Sequence, residues 1–190
     1  MAATTNAANV TVGKPKVGGA IFVAPAGTKL PTDATTALDL AFKGLGFVSE
    51  DGLSNENSIS VEPTKAWGGE VISYNETEHT DAFKLKLIET LNTEVMKTVH
   101  GAENIVGKDL STGVTIKANG RPTEEQVWVF EMILKGGIAK RIVIPHGKIT
   151  ERGEVLYKDD EVTAYEVTVS AVPDAEGNTH YEYIKGGAAA

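Results

Sequence analysis

Apolar and polar positions alternate over much of this chain, which is the period of a half-buried β-strand. In residues 79–87, Phe83, Leu85 and Leu87 fall on one face and Lys84 and Lys86 on the other. In residues 163–171, Thr163, Tyr165, Val167, Val169 and Ala171 oppose Glu166, Thr168 and Ser170. Both segments read as strands. Residues 126–134 are almost continuously apolar, with Trp128, Phe130 and Met132 on one face. Residues 138–144 set Ile138, Ile142 and Ile144 against Arg141, and Pro145 and Gly147 mark the expected end of that strand. Shorter strands are predicted at 20–24, closed by Pro25 and Gly27, and at 45–49, ended by Asp51 and Gly52 as a turn pair. Others fall at 71–74, at 114–118 and, after a turn cluster at 174–178, at 179–184. Residues 30–40, punctuated by Pro31 and Asp33, read as a loop. Residues 53–65 are polar, with Ile59 and Val61 alternating against Ser58, Ser60 and Glu62, which fits a strand tip or an extended loop.

Helical spacing occurs once, at Ile88, Leu91, Val95 and Val99, with Thr90 or Asn92 as N-cap candidates and Gly101 just past the end. Many short strands around one helix, without an internal repeat, predict a mainly β fold: an antiparallel β-sandwich or partial barrel with one packed α-helix. At 190 residues and 41% apolar content the chain suits one core. The expected organisation is a flexible N-terminal arm at 1–16, a single domain at 17–185, and a flexible Gly and Ala tail at 186–190.

Charge and composition narrow the function classes. A formal charge of −8 argues against nucleic-acid binding by bulk charge, because phosphate binding needs clustered Lys and Arg. The absence of cysteine excludes disulfides and thiolate metal sites, so folding in a reducing cytoplasm is expected. Residues 1–10 lack the basic start and apolar core of a signal peptide. The apolar run at 127–134 is far shorter than the roughly 20 residues that span a bilayer, so no membrane partner is expected.

Candidate chemistry is sparse. Glu76, Glu78, His79 and Asp81 form the densest polar cluster and carry metal-ligand atoms, but on a strand His79 and Asp81 share a face while Glu78 points away. The charged start of a strand is the favoured reading. The histidines at 79, 100, 146 and 180 lie far apart and form no HExxH spacing. No GxSxG or SxxK pattern surrounds a serine, and Gly44, Gly46, Gly68 and Gly69 match no phosphate-binding loop. No catalytic, cofactor or metal residue is therefore assigned, and no cofactor is expected.

Four stretches, in order, resemble the major tail (tail tube) proteins of long-tailed, siphovirus-type bacteriophages. They are residues 18–28 (GGAIFVAPAGT) with Leu30-Pro31, residues 42–52 (FKGLGFVSEDG), residues 65–69 (KAWGG) and residues 83–90 (FKLKLIET). Together they cover about residues 17–100; the C-terminal half is compatible but less distinctive, and no appended immunoglobulin-like domain is expected after Lys185. The resemblance implies a structural virion protein whose sheets join those of neighbours in hexameric rings, the rings stacking by an extended loop and terminal arms into a hollow tube. It places the inter-ring loop on the polar excursion that includes Glu50, Asp51, Leu53, Asn55, Glu56, Ile59, Val61, Glu62 and Lys65. It implies as partners the protein itself, a tape measure protein inside the tube, tail terminator and initiator proteins, and double-stranded DNA in passage without sequence-specific binding. Location in the virion tail after assembly in the host cytoplasm follows in the same way. Nothing in the sequence assigns the lumen-lining residues.

Two rivals stand beside this reading. A β-sandwich module binding carbohydrate or a cell surface should expose an aromatic cluster, yet aromatics are 6% and most are expected on apolar strand faces. A small β-barrel hydrolase lacks a nucleophile pattern.

Overall fold

The structure, a computed structural model, describes residues 5–186; the expectations for residues 1–4 and 187–190 lie outside them. The strands are β1 (Lys14–Pro15), β2 (Ile21–Pro25), β3 (Lys43–Gly44), β4 (Val48–Lys65), β5 (Val71–Leu87), β6 (Ile105–Val106), β7 (Thr115–Ile116), β8 (Gln126–Leu134), β9 (Ile138–Arg152), β10 (Tyr165–Val172) and β11 (Tyr181–Lys185). Every pairing is antiparallel. The main sheet runs β3-β2-β8-β9-β10-β5-β4, with β1 on β8 and β11 on β9; β6 and β7 form a separate pair. The mainly β, antiparallel expectation holds, as one continuous sheet that does not close into a barrel.

That sheet curls. Strands β8 and β5 are three steps apart, which is about 14 Å across a flat sheet at ~4.8 Å per step. Phe130 of β8 and Phe83 of β5 nevertheless stack with ring centroids 5.6 Å apart. Inside the curl lie Trp128, Phe130, Phe83, Leu85, Leu87, Ile144, Val167 and Val169, the alternating positions read from the sequence. The outer face of the same strands buries Val127, Val129 and Val143, with Ala24 of β2 beside them, against Phe42, Leu30 and Leu38. Both faces of β8 are covered, which is why its sequence is almost continuously apolar.

One α-helix, α1 (Thr93–His100), joins the inner core through Val95 and Val99. Asn92 caps it by accepting a hydrogen bond from the Glu94 amide, and Gly101 closes it. Leu91, counted on the apolar face from its spacing, precedes the cap and is exposed.

Two expected strand ends are not ends. Strand β9 passes through Pro145 and Gly147 because the register slips there: Trp128 faces Ile144 while Gln126 faces Gly147. Three steps of β9 thus match two of β8, a bulge that accommodates a residue without an amide donor. Gly147 is where the indole of Trp128 comes close. A Cβ there would meet Trp128 Cδ1 at 2.5 Å and Val169 Cγ1 at 3.1 Å. Gly147→Ala should therefore destabilise the subunit by about 1–3 kcal/mol, as overpacking does, measured by urea denaturation; an unchanged midpoint would contradict the close packing. Likewise the chain does not turn at Asp51-Gly52. From Val48 to Leu53 strand β4 advances five positions while β5 advances two, and Gly52 takes φ 73° in the bulge.

Arg141, expected on a polar strand face, is buried, directly opposite Glu131 on β8. Its Nε donates to Glu131 Oε1 at 2.9 Å, its Nη2 donates to the same oxygen, and its Nη1 donates to the Asp33 carbonyl at 2.7 Å. Lys16, next to β1, pairs with the other Glu131 oxygen. This one pair therefore ties β8 and β9 to the 30–42 segment and to β1.

Candidate functional site

Strands β4 and β5 form a hairpin closed at Ala66, Trp67, Gly68 and Gly69, where Gly68 and Gly69 take φ 117° and 93°. The turn is held by Gly69 N–H donating to the Ala66 carbonyl and Ala66 N–H donating to the Glu70 carbonyl. Only the base of the hairpin lies in the sheet, because β10 pairs with β5 from Leu87 to Ala82 and no further. Beyond it the ribbon projects alone. Every residue from 54 to 79 except Ala66 is exposed. Strand β4 is also the outermost strand of the sheet, so its outer edge carries no partner among the described residues.

The nine residues of the expected loop thus lie along one paired strand. Asp51 pairs with Lys86 at 3.1 Å, and Leu53 packs against the inner core. Asn55 donates to Asp81 at 2.8 Å, and Glu56 stands 3.8 Å from Lys84. Glu50, Ile59, Val61, Glu62 and Lys65 are exposed. Alternation along the strand sends them to opposite faces, so they do not converge on one point.

The sequence pattern placed strands at 71–74 and 79–87 but did not join them into one strand or pair them with β4. Trp67 at the tip and Val71, Ile72 and Tyr74 on β5 are exposed, as is Phe47 just before β4. Most aromatics are buried or half-buried, as expected, and Phe47, Trp67, Tyr74 and Tyr157 are the exposed ones. A signal was available: Trp67-Gly68-Gly69 sits between two segments of matching length, which is the pattern of a hairpin turn.

The polar cluster at 76–81 resolves into separate roles. Glu76 and Glu78 are exposed, and His79 Nε2 is 2.9 Å from the Asn57 side-chain oxygen. Asp81 is buried and bonds Thr179 and His180, each at 2.5 Å, as well as Asn55. Among the described residues no three such side chains are placed to hold a metal ion. Burial alone would push the Asp81 carboxyl up, but hydrogen bonds from Thr179, Asn55 and His180, with the His180 charge, hold it below its ordinary value. The base of the hairpin is thereby pinned to the segment leading into β11.

A depressed folded-state value means that the stabilisation is complete above the unfolded carboxyl value of about 3.9 and is lost as the pH falls through the folded one. Asp81→Asn should cost about 1–3 kcal/mol at pH 7. In urea titrations the gap between parent and variant should narrow below about pH 4. A gap that stays constant on acidification would contradict this role.

A groove lies at the foot of the ribbon, between residues 13–21 and 46–53, with Phe130 and Met132 at its floor and a volume of about 970 Å³.

A β-subunit with a long projecting ribbon and, among its described residues, no group of side chains placed to hold a metal ion is the class of protein seen here. The chain belongs to the phage tail tube protein family, whose model matches residues 3–189. It is accordingly a structural protein of the bacteriophage virion tail. Among solved structures, the chain is similar to the anti-feeding prophage cap, described as a tube terminating cap, at 8% identity and a TM-score of 0.43, over 93% of this chain and 96% of that one. No curated protein matches.

Proposed function

We propose that the chain self-assembles into hexameric rings that stack into the hollow tail tube, and that double-stranded DNA passes through it during ejection without sequence-specific binding. The observation that carries this reading is the ribbon. A two-stranded hairpin with both faces exposed is marginal in water on its own, and a long free edge on β4 invites another strand. Neighbouring subunits would supply both the cover and the partner. Residues 50–65 of β4 then serve as the inter-ring element. The acidic chain suits a conduit, since carboxylates facing the lumen discourage phosphate adhesion.

The further roles follow from the family. A tape measure protein would occupy the tube, terminator and initiator proteins would cap its ends, and assembly would take place in the host cytoplasm. The function needs no catalysis, cofactor or membrane.

Sedimentation at rising concentration, followed by negative-stain imaging, tests the proposal. Hollow tubes of uniform width are the expected result, and a chain that stays monomeric at every concentration and beside an initiator complex would overturn it. Exposed Trp67 and Tyr74 would also suit a carbohydrate-binding module. Such a module would bind glycans as a monomer and form no tubes.

A further inference from the structure

Asn119 lies exposed in the irregular segment between β7 and β8 and is followed by Gly120. Of the nine asparagines in the chain, it alone precedes a glycine. That order matters because the backbone nitrogen of the next residue can attack a side-chain amide, and a side chain on that residue obstructs the approach. At Gly120 nothing stands in the way: even an added Cβ would meet no atom within 4 Å. The amide is also held ready. The Arg121 N–H donates to Asn119 Oδ1 at 3.0 Å, the atom on which negative charge develops when Cγ is attacked.

The same amide is a structural tie. Its Nδ2 donates to Asn104 Oδ1 at 2.7 Å and to the Lys117 carbonyl at 3.3 Å. Asn104 is buried, and its own Nδ2 donates at 2.6 Å to the carbonyl of His100, the last residue of α1. That carbonyl is among the acceptors a helix end leaves without an intrahelical donor. The Lys117 N–H completes the link by donating to the Asn104 carbonyl at 2.8 Å. Asn104 thus turns its side-chain oxygen to Asn119 and its nitrogen to α1. A carboxylate at position 119 has no donor for that oxygen. Turning the Asn104 amide over would serve the carboxylate but set an oxygen against the His100 carbonyl, so one buried bond is lost in either arrangement.

We propose that Asn119 is a site of spontaneous deamidation, and that its conversion loosens the β6 and β7 pair from the end of α1. The Gly120 nitrogen bonds to Asn119 Cγ, the Cγ–Nδ2 bond breaks, and Nδ2 departs as ammonia with the Gly120 proton. Water then opens the resulting cyclic imide at one of its two carbonyls. Opening at Cγ gives an aspartate in the normal backbone, and opening at the main-chain carbonyl gives an isoaspartate linked through its side chain. The sequence consumes only water. Each event adds one negative charge to a chain of net −8. It concerns the subunit itself and stands apart from the tube reading.

The full chain is kept in mildly alkaline buffer and sampled over days by ion exchange and by mass spectrometry of its peptides. The peptide carrying residues 119 and 120 should become about 1 Da heavier as its amide becomes a carboxyl, well before any other asparagine converts, and faster as the pH is raised. Gly120→Ala, for which there is room, should slow the conversion by roughly tenfold, because the methyl group obstructs the attacking nitrogen. In Asn119→Asp, made directly, the amides of Asn104 and Lys117 should exchange with deuterium about tenfold faster while those of β8 keep their protection. A parent peptide that keeps its mass while other asparagines convert, or a Gly120→Ala chain that converts at the parent's rate, would overturn the site. Unchanged exchange in Asn119→Asp would overturn its coupling to α1.

Discussion

Replacing Arg141 with alanine should lower the stability of the subunit by about 3–5 kcal/mol, the usual result of leaving a buried carboxylate without its partner. Both ends of the pair are enclosed: the side chains of Arg141 and Glu131 are 1% and 5% exposed. The guanidinium also supplies the donor that holds the Asp33 carbonyl, so the loss reaches the segment covering the outer face of the sheet. At roughly 2–4 °C per kcal/mol for a chain of this size, the melting temperature should fall by about 6–20 °C. Lys16 is the only other cation on Glu131 among the described residues, and at 46% exposure its charge is well solvated. It should compensate only in part. A fall of less than ~1 kcal/mol would show that Lys16 moves in and takes over. Replacing both partners, Arg141→Met with Glu131→Met, should recover most of the loss, because the cost lies in the orphaned charge and not in the missing ion pair.

The Arg141 pair also marks where the sequence stopped being legible. Period-two alternation identified the inward faces of β5, β8 and β10 because one side of each strand packs into the curl, and burial is what writes that pattern. It placed Arg141 on the side opposite Ile142, which is correct, but took a charged residue to mean solvent. Only the partner strand reveals that Glu131 stands across from it. Pro145 and Gly147 misled for a related reason: they punctuate a chain locally, whereas the bulge that absorbs them is a property of two strands. The helix was readable at its C-terminal end, since Gly101 acts within its own turn, whereas the pattern did not choose between Thr90 and Asn92 for its start, and Ile88 and Leu91 precede it. The candidate site was half readable. Residues 50–65 were singled out by the family resemblance on a polar excursion, but a ribbon exposed on both faces has no burial to impose alternation, and so its pairing with Val71 to Asp81 left little trace.

Removing the outer ribbon should leave a folded subunit that forms no tubes. The variant replaces residues 58–80 with Asn-Gly, a two-residue turn that joins Asn57 directly to its paired residue Asp81. It retains Asn55, Asp81 and the bonds to Thr179 and His180 that fix the base of the hairpin. Of the deleted residues only Ala66 and Thr80 are even half-buried, and none belongs to either core cluster. At roughly 25 cal/mol per Å² of apolar surface, little burial energy leaves with them. Thermal and urea midpoints should therefore stay close to those of the parent. Assembly should respond differently, because a ribbon deleted from one copy is missing from every copy in the ring, and the deficits act together on a multivalent interface. The defect should be all or none: no tubes at concentrations tenfold or more above those at which the parent assembles, a shift of about 1.4 kcal/mol per subunit or more. Normal tubes from the folded variant would remove the ribbon from the assembly mechanism. A variant that fails to melt cooperatively would show instead that the ribbon supports the fold.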